Sequence, residues 1–91
     1  MNKKHIKELS EAIVKISSPS VAESFLHNIL TPAELEEVSV RLQIVKLLLQ
    51  GLPQREVAKK LGVSMGTVSR GSRELKYGVN GFEKVLQGDQ V

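Results

Sequence analysis

The stretch from Gln54 to Lys76, QREVAKKLGVSMGTVSRGSRELK, constrains the fold of this chain more than any other segment. Its first part places Val57 and Leu61 four residues apart, which gives one apolar helical face of about two turns. Gly62 follows directly, and a glycine here ends a helix because it adopts the left-handed conformation that other residues resist. Ser64 suits the N-cap of a second helix, since its hydroxyl can accept from the free amides of the first turn. The segment therefore predicts two short helices joined by a tight turn.

The spacing within this segment satisfies the steric needs of a helix-turn-helix, whose second helix lies in the DNA major groove. Small Ala58 stands where the helices approach, and Val68 follows the turn. Residues 54–76 carry six basic and two acidic side chains, and residues 41–76 carry eight and two, a net +6 in a chain of net +3. The alternative is a helical hairpin with a glycine turn and no DNA role, and the concentration of positive charge weighs against it.

The second helix, Ser64 to Lys76, is about 20 Å long at 1.5 Å per residue, enough to lie across one groove. Its inward side is predicted to hold Val68, Ser72 and Leu75, which leaves the other side for DNA. Short side chains near its N-terminus suit thymine methyl contacts, single hydrogen bonds or bridging waters better than bidentate readout of guanine. These base-edge candidates are Met65, Gly66, Thr67 and Ser69.

Phosphate contacts are predicted for basic and hydroxyl side chains around the turn, and they would set affinity and register rather than sequence preference. The candidates are Arg55, Lys59, Lys60, Ser64 and Thr67. Gln54, Ser72 and Arg73 complete the predicted DNA-binding set.

The length of 91 residues predicts one domain, residues 1–91, that is small enough to gain considerable buried surface by dimerisation. With no cysteine, the sequence offers neither a disulfide framework nor a thiolate metal site. No signal peptide is indicated, because Glu8 and Glu11 interrupt the apolar residues that follow the N-terminal lysines. No apolar stretch is as long as a membrane span, and we expect a cytoplasmic protein.

Two amphipathic helices are predicted before residue 30. The first, Asn2 to Ser17, has isoleucine and leucine at spacings of three and four. The second begins either at Ser18 followed by Pro19, or at Ser20 with Glu23 as a capping box. Their apolar faces exceed what so small a chain covers easily, so residues 1–30 are predicted to form the dimer interface. The alternative is a monomer that buries these faces on its own helix-turn-helix.

Thr31, Pro32 and Glu34 predict the start of a long third helix, with a capping box and a proline at the first helical position. This helix should run to about Gln50 and stop at Gly51. Its predicted inward stripe is Leu35, Val38, Leu42, Val45 and Leu49. Arg41 lies midway along the helix among apolar residues, where an arginine either extends to water or binds a ligand.

Beyond the second helix of the motif, Tyr77 and Gly78 mark its end. Apolar Phe82, Val85 and Leu86 predict a short closing helix, and residues 87–91 are expected to be frayed.

Other functional classes fit the sequence less well. An enzyme is not indicated, because His5 and His27 are isolated and neither a carboxylate pair nor a phosphate-binding glycine loop is present. A helical protein-interaction module without DNA binding would explain the apolar N-terminal helices, but it would lack salt-dependent affinity for DNA.

The sequence from Leu30 to Lys76 resembles the bacterial tryptophan (trp operon) repressor family. The resemblance rests on LTPAELEEVSVRLQIVKLLLQG and on TVSRGSRELK after a GVS turn, which together cover about half the chain. It implies an all-α, intertwined helical dimer whose two helix-turn-helix motifs meet successive major grooves of a palindromic operator. It also implies L-tryptophan as corepressor and control of tryptophan biosynthesis or transport operons. No metal cofactor is expected.

The resemblance also implies roles for particular residues of a corepressor pocket. Thr31 matches the family's threonine at the start of the long helix, and Arg41 matches the arginine that covers the indole ring. Arg70 matches the arginine that binds the amino-acid carboxylate, for which bidentate pairing is well suited. Gly71 would leave room for the ring, and the backbone carbonyls of Asn28 and Leu30 would bind the ammonium.

Glu74 departs from the family pattern, which has a serine there that helps to hold the ammonium. A carboxylate at this position could bind the ammonium more strongly, or it could pair with Arg70 and close the empty pocket. The alternative function is therefore a related helix-turn-helix regulator with no amino-acid effector, or with a different one.

Overall fold

The computed structural model describes residues 1–88, which are helical with no strand, as the predicted all-α class requires. The helices are α1 (Lys3–Val14), α2 (Pro19–Ile29), α3 (Pro32–Leu49), α4 (Gln54–Leu61), α5 (Met65–Tyr77) and α6 (Gly81–Leu86). Both helices of the predicted motif and the short closing helix are present. Of the C-terminal segment expected to be frayed, residues 89–91 lie outside the described residues.

The helices divide into two compact units, with the boundary between Glu36 and Glu37 inside α3. The first unit contains α1, α2 and the first turn of α3. The second contains the rest of α3 followed by α4, α5 and α6. The single-domain organisation over residues 1–91 stays a prediction.

Side-chain caps mark the residues at which the first two helices begin. Asn2 caps α1, its Oδ1 accepting from the backbone amides of Lys4 at 2.9 Å and His5 at 3.1 Å. The helix ends at Val14, three residues before the predicted Ser17. Ser18 is extended (φ −149°, ψ 154°) and caps α2, with Pro19 at the first helical position. Of the two predicted starts for α2, the structure has the one at Ser18 and Pro19. Helical geometry is disfavoured for a residue that precedes a proline, so Ser18 stays outside the helix.

The capping box predicted for α3 is confirmed. The Thr31 amide donates to Glu34 Oε1 at 2.9 Å, and the Glu34 amide donates to Thr31 Oγ1 at 3.2 Å. The helix ends at Leu49, and Gly51 takes a positive φ of +96°. These short-range interactions are encoded within a few residues, which is why the sequence predicts them well.

The core of the second unit joins α3, α4 and α5. Ile44, Val57 and Val68 are at most 1% exposed, and Ala58 is 8% exposed. Half-buried apolar side chains surround them: Val40, Leu47, Leu48, Leu52, Leu61 and Val63. Burying such side chains contributes about 1.5–3 kcal/mol each, so this cluster is the main support of α4 and α5.

The predicted inward stripe of α3 is partly wrong. Val45 is buried, but Val38 and Leu42 are 42% and 38% exposed in the single chain. The core is instead served by the side of α3 that carries Val40 and Ile44. Apolar residues lie on several sides of this helix, so their spacing alone does not select the side that α4 and α5 cover.

The helices of the first unit leave large apolar side chains exposed. Among the described residues of α1 and α2, none is buried. The exposed side chains include Ile6, Leu9, Ile13, Val21, Leu26 and Ile29. Between residues 1 and 88, no helix is long and apolar enough to cross a membrane.

Candidate nucleic-acid interface

The turn between α4 and α5 is closed by backbone and side-chain capping. Gly62 has φ +67° and ψ 35°, and its amide donates to the carbonyl of Ala58. Ser64 then caps α5, its Oγ accepting from the Thr67 amide at 3.1 Å. Both caps are the ones predicted from the sequence. The two helices are therefore joined by a tight three-residue connection, residues 62–64.

The middle of α5 packs closely against α3 at Gly71. A Cβ added to this buried glycine would lie 2.8 Å from Cγ2 of Ile44, closer than two carbons approach without displacement. Gly71 therefore allows α5 to lie against Ile44, a packing role that the sequence reasoning missed. Its predicted role in making room for an indole ring stays a prediction.

One side of α5 is turned inward and the other is accessible, as predicted. Val68 is fully buried, and Ser72 and Leu75 are half-buried. Thr67 is half-buried near the start of the helix. The exposed residues are Met65, Gly66, Ser69, Arg70, Arg73, Glu74, Lys76 and Tyr77. The structure thus presents most of the predicted base-edge candidates on one accessible helix.

Six exposed basic side chains lie on α4 and α5. They are Arg55, Lys59 and Lys60 on α4 and Arg70, Arg73 and Lys76 on α5. Within residues 1–88, none of them forms an ion pair with a carboxylate; the His27 Nε2 to Glu23 Oε2 contact at 3.8 Å is an ion pair only when the histidine is protonated. Unpaired surface cations remain available for phosphate oxygens, because no carboxylate competes for them.

Gln54 links the start of α4 to the middle of α5. Its Nε2 donates to Oγ of Ser72 at 3.1 Å, and its Oε1 accepts from Oγ of Ser69 at 3.1 Å. All three residues were predicted to bind DNA, but their mutual hydrogen bonds were not predicted from the sequence. The partners lie 15 and 18 residues apart, so no local pattern could have indicated them.

The predicted effector residues fall in both units. Arg41, Arg70, Gly71 and Glu74 belong to the second unit, and Asn28, Leu30 and Thr31 belong to the first. Arg41 is exposed on α3. Thr31 uses its hydroxyl in the capping box, and the Leu30 amide donates to the carbonyl of Leu26. Their effector roles stay predictions.

Arg70 and Glu74 lie one helical turn apart on α5, and both are exposed. In the described part of the chain they form no ion pair, so the predicted closure of an empty pocket by this pair is not seen. The Glu74 carboxylate instead lies beside Gly78, where an added Cβ would be 2.5 Å from its Oε1. Among residues 1–88, neither the Arg70 guanidinium nor the Glu74 carboxylate has an ion-pair partner, and both belong to α5.

Comparison with known proteins identifies the family to which the chain belongs. The model of the family described as Trp repressor protein matches residues 4–90. The chain belongs to the Trp repressor protein family. Members of this family are DNA-binding transcription regulators and not enzymes, so this chain is a DNA-binding transcriptional repressor.

Individual proteins are similar to this Trp repressor family member over more than half of its length. It is 37% identical over 82 residues to the Trp operon repressor homolog of Chlamydia trachomatis serovar L2, which covers 85% of this chain and 87% of that protein. It is 47% identical over 55 residues to the homolog from Vibrio cholerae serotype O1, covering 59% and 53%. The crystal structure of a TrpR-like protein from Eubacterium eligens matches with a TM-score of 0.84 at 28% identity, covering 94% of this chain and 89% of that one.

Proposed function

We propose that this repressor is a homodimer that binds a palindromic operator when L-tryptophan occupies a corepressor site on each subunit. Its targets would be operons for tryptophan biosynthesis or transport. The observation that carries the effector assignment is the pair of unpaired, opposite charges of Arg70 and Glu74, one turn apart on the DNA-binding helix. An α-amino acid carries the matching carboxylate and ammonium.

In the proposed site, Arg70 binds the effector carboxylate through two parallel hydrogen bonds and Glu74 accepts from the ammonium. Arg41 covers the indole ring, since a guanidinium stacks well on an aromatic face. Thr31 and the backbone carbonyls of Asn28 and Leu30 complete the assignment that the family resemblance suggests.

The homodimer is supported by the exposed apolar side chains of α1 and α2. The largest exposures there are 51% at Ile13, 52% at Val21 and 82% at Val14. A second copy of the chain would remove such surface from water, contributing about 25 cal/mol for each Å² of apolar area buried. A two-fold axis would also present two copies of α5 to successive grooves, which is why a palindromic operator is proposed.

Calorimetric titration with L-tryptophan tests the effector assignment. We expect saturable binding at one site per subunit, in a sample shown to be dimeric by sedimentation. L-phenylalanine tests recognition of the indole ring, and D-tryptophan tests the placement of the two charged groups. Because the chain contains no tryptophan, ligand fluorescence provides a second readout without a protein background.

Absence of binding in a folded dimer would contradict the L-tryptophan proposal and leave DNA binding intact. The chain would then be a regulator without an amino-acid effector, or with another one. Retention of salt-dependent DNA affinity in the same sample would distinguish this outcome from a failed protein preparation.

Lys59 and Lys60 provide a separate test of the DNA-binding surface. Changing both to glutamine should weaken binding to operator and unrelated DNA alike, because both lysines are assigned to phosphates. The slope of log K against log salt concentration should become shallower by about 0.9 for each phosphate that the variant no longer neutralises. Binding measured at several salt concentrations on both DNAs gives this slope.

The matched change is Met65→Ala, which removes a base-edge candidate and leaves the charge constant. This variant should lose discrimination between operator and unrelated DNA while keeping the salt slope. A change in sequence preference alone from the lysine variant would show that the proposed orientation of α4 and α5 on DNA is wrong.

A further inference from the structure

The hydrogen bonds of Gln54 restrict what one residue of the DNA-binding helix can do. Ser69 is exposed on α5, whereas Gln54 and Ser72 are half-buried between α4 and α5. Ser69 Oγ donates to Gln54 Oε1 at 3.1 Å. At the other end of the amide, Gln54 Nε2 donates to Ser72 Oγ at 3.1 Å. The glutamine thus connects an inward serine to an outward one.

A serine hydroxyl has one proton to donate and two lone pairs that accept. Because Gln54 Oε1 takes the proton of Ser69, the outward side of this hydroxyl can only accept a hydrogen bond. Phosphate oxygens of DNA also only accept, so Ser69 cannot bond to them while the Gln54 contact persists. The hydrogen-bond donors that a major groove offers are the exocyclic amino groups of adenine (N6) and cytosine (N4).

We propose that Gln54 is a positioning residue that holds the Ser69 hydroxyl as an acceptor for an exocyclic base amino group in the major groove. Ser69 then contributes sequence preference rather than backbone affinity. The inference rests on the proposed operator binding and deepens it, because it names the chemical group that one side chain reads.

The hydroxyls of Ser64 and Thr67, unlike that of Ser69, keep a proton that can be donated to DNA. Ser64 Oγ and Thr67 Oγ1 lie 2.9 Å apart, and either of them could be the donor. One proton of that pair therefore remains free to turn outward to a phosphate oxygen. Ser69 is held by an amide oxygen, which cannot donate, and so its proton has no such freedom.

The first experiment locates the base that Ser69 reads. Operator sequences are selected from random duplexes by the full-length protein, with and without L-tryptophan, and the selection is repeated with Ser69→Ala. We expect one base pair in each half-site to lose its preference in the variant. In the selected duplex, adenine or cytosine at that pair is then replaced by N6-methyladenine or N4-methylcytosine, which removes the groove-facing amino hydrogen.

Loss of this single hydrogen bond should weaken wild-type binding about three- to tenfold. Ser69→Ala should bind the methylated and unmethylated duplexes within about twofold of each other, because it has no acceptor to lose. If base methylation weakens DNA binding by the wild type and by Ser69→Ala to the same extent, Ser69 does not accept a hydrogen bond from that base, and the assignment is overturned. Comparing adenine and cytosine substitutions identifies which amino group is read.

Two substitutions of Gln54 separate positioning from simple packing. Gln54→Met has similar length but no polar atoms, so the Ser69 hydroxyl becomes free to donate to other acceptors as well as to accept, and the methylation effect should become smaller. Gln54→Glu still accepts from Ser69, so the methylation effect should persist even though the added negative charge weakens binding to all DNA. Thermal unfolding of both variants reports any structural damage, which would lower affinity for the two duplexes equally.

A Gln54→Glu protein that loses the methylation effect would overturn the proposal, because it would show that the glutamine amide does not act as the acceptor. A wild-type protein that discriminates among sequences but ignores base methylation would also overturn it, with operator binding intact. A wild-type protein with no sequence preference in either condition would instead overturn sequence-specific operator binding itself.

Discussion

Replacing Arg70 with leucine is expected to abolish the effect of L-tryptophan on operator binding while the protein remains helical and dimeric. The guanidinium is exposed and unpaired, so its removal costs no ion pair within the described chain. It would remove the charge assigned to the effector carboxylate. Typical couplings between an effector and its target are about 1–3 kcal/mol, or roughly 5- to 150-fold in affinity. Operator affinity measured with and without L-tryptophan gives this ratio directly.

Arg73→Leu is the matched control for Arg70→Leu. It removes the same charge from an exposed position of the same helix. We expect weaker binding to all DNA, but an unchanged ratio between the two conditions, because an effector shifts affinity only through its differential binding to the two states. A full L-tryptophan effect in the Arg70→Leu protein would rule out the carboxylate role.

Substituting alanine for Gly71 is expected to lower the free energy of unfolding by about 1–2 kcal/mol, even though alanine favours helices. The new Cβ would lie 2.8 Å from Cγ2 of Ile44, which is itself 1% exposed and held among core residues. A β-branched side chain has few rotamers into which it can move. Thermal and denaturant unfolding measure the decrease, at about 4–8 °C per kcal/mol for a chain of this size.

Gly66→Ala provides the comparison within the same helix. The nearest atom to its new Cβ would be Ser64 Oγ at 3.8 Å, an ordinary contact. Its stability should be unchanged or slightly raised. Combining Gly71→Ala with Ile44→Leu, which removes the branch at Cβ, should recover part of the stability. Equal stability of the two alanine variants would contradict the close approach of α5 to α3.

Much of the fold was predictable because the signals lie within single turns of the chain. Thr31 and Glu34 cap α3, Gly62 ends α4, and Ser64 begins α5, all as expected from their side chains. The inward side of α5 followed from its periodicity. Helix ends depend on neighbours within about four residues, and a sequence displays those neighbours directly.

The tertiary structure decided contacts between residues far apart in the chain. The sequence placed Gln54, Ser69 and Ser72 in one DNA-binding set, but only the approach of α4 to α5 joined them by hydrogen bonds. The roles of the effector residues stay predictions, because these residues fall in two separate units.

The sequence by itself determined the helices, the turn between α4 and α5 and the concentration of positive charge around it. It did not determine which side of α3 supports these two helices, because apolar residues lie on several sides of α3 and periodicity selects none of them. Packing selected the side with Ile44, which meets Gly71 on α5. Local propensity defines helices, whereas the complementary shapes of distant side chains define how those helices pack.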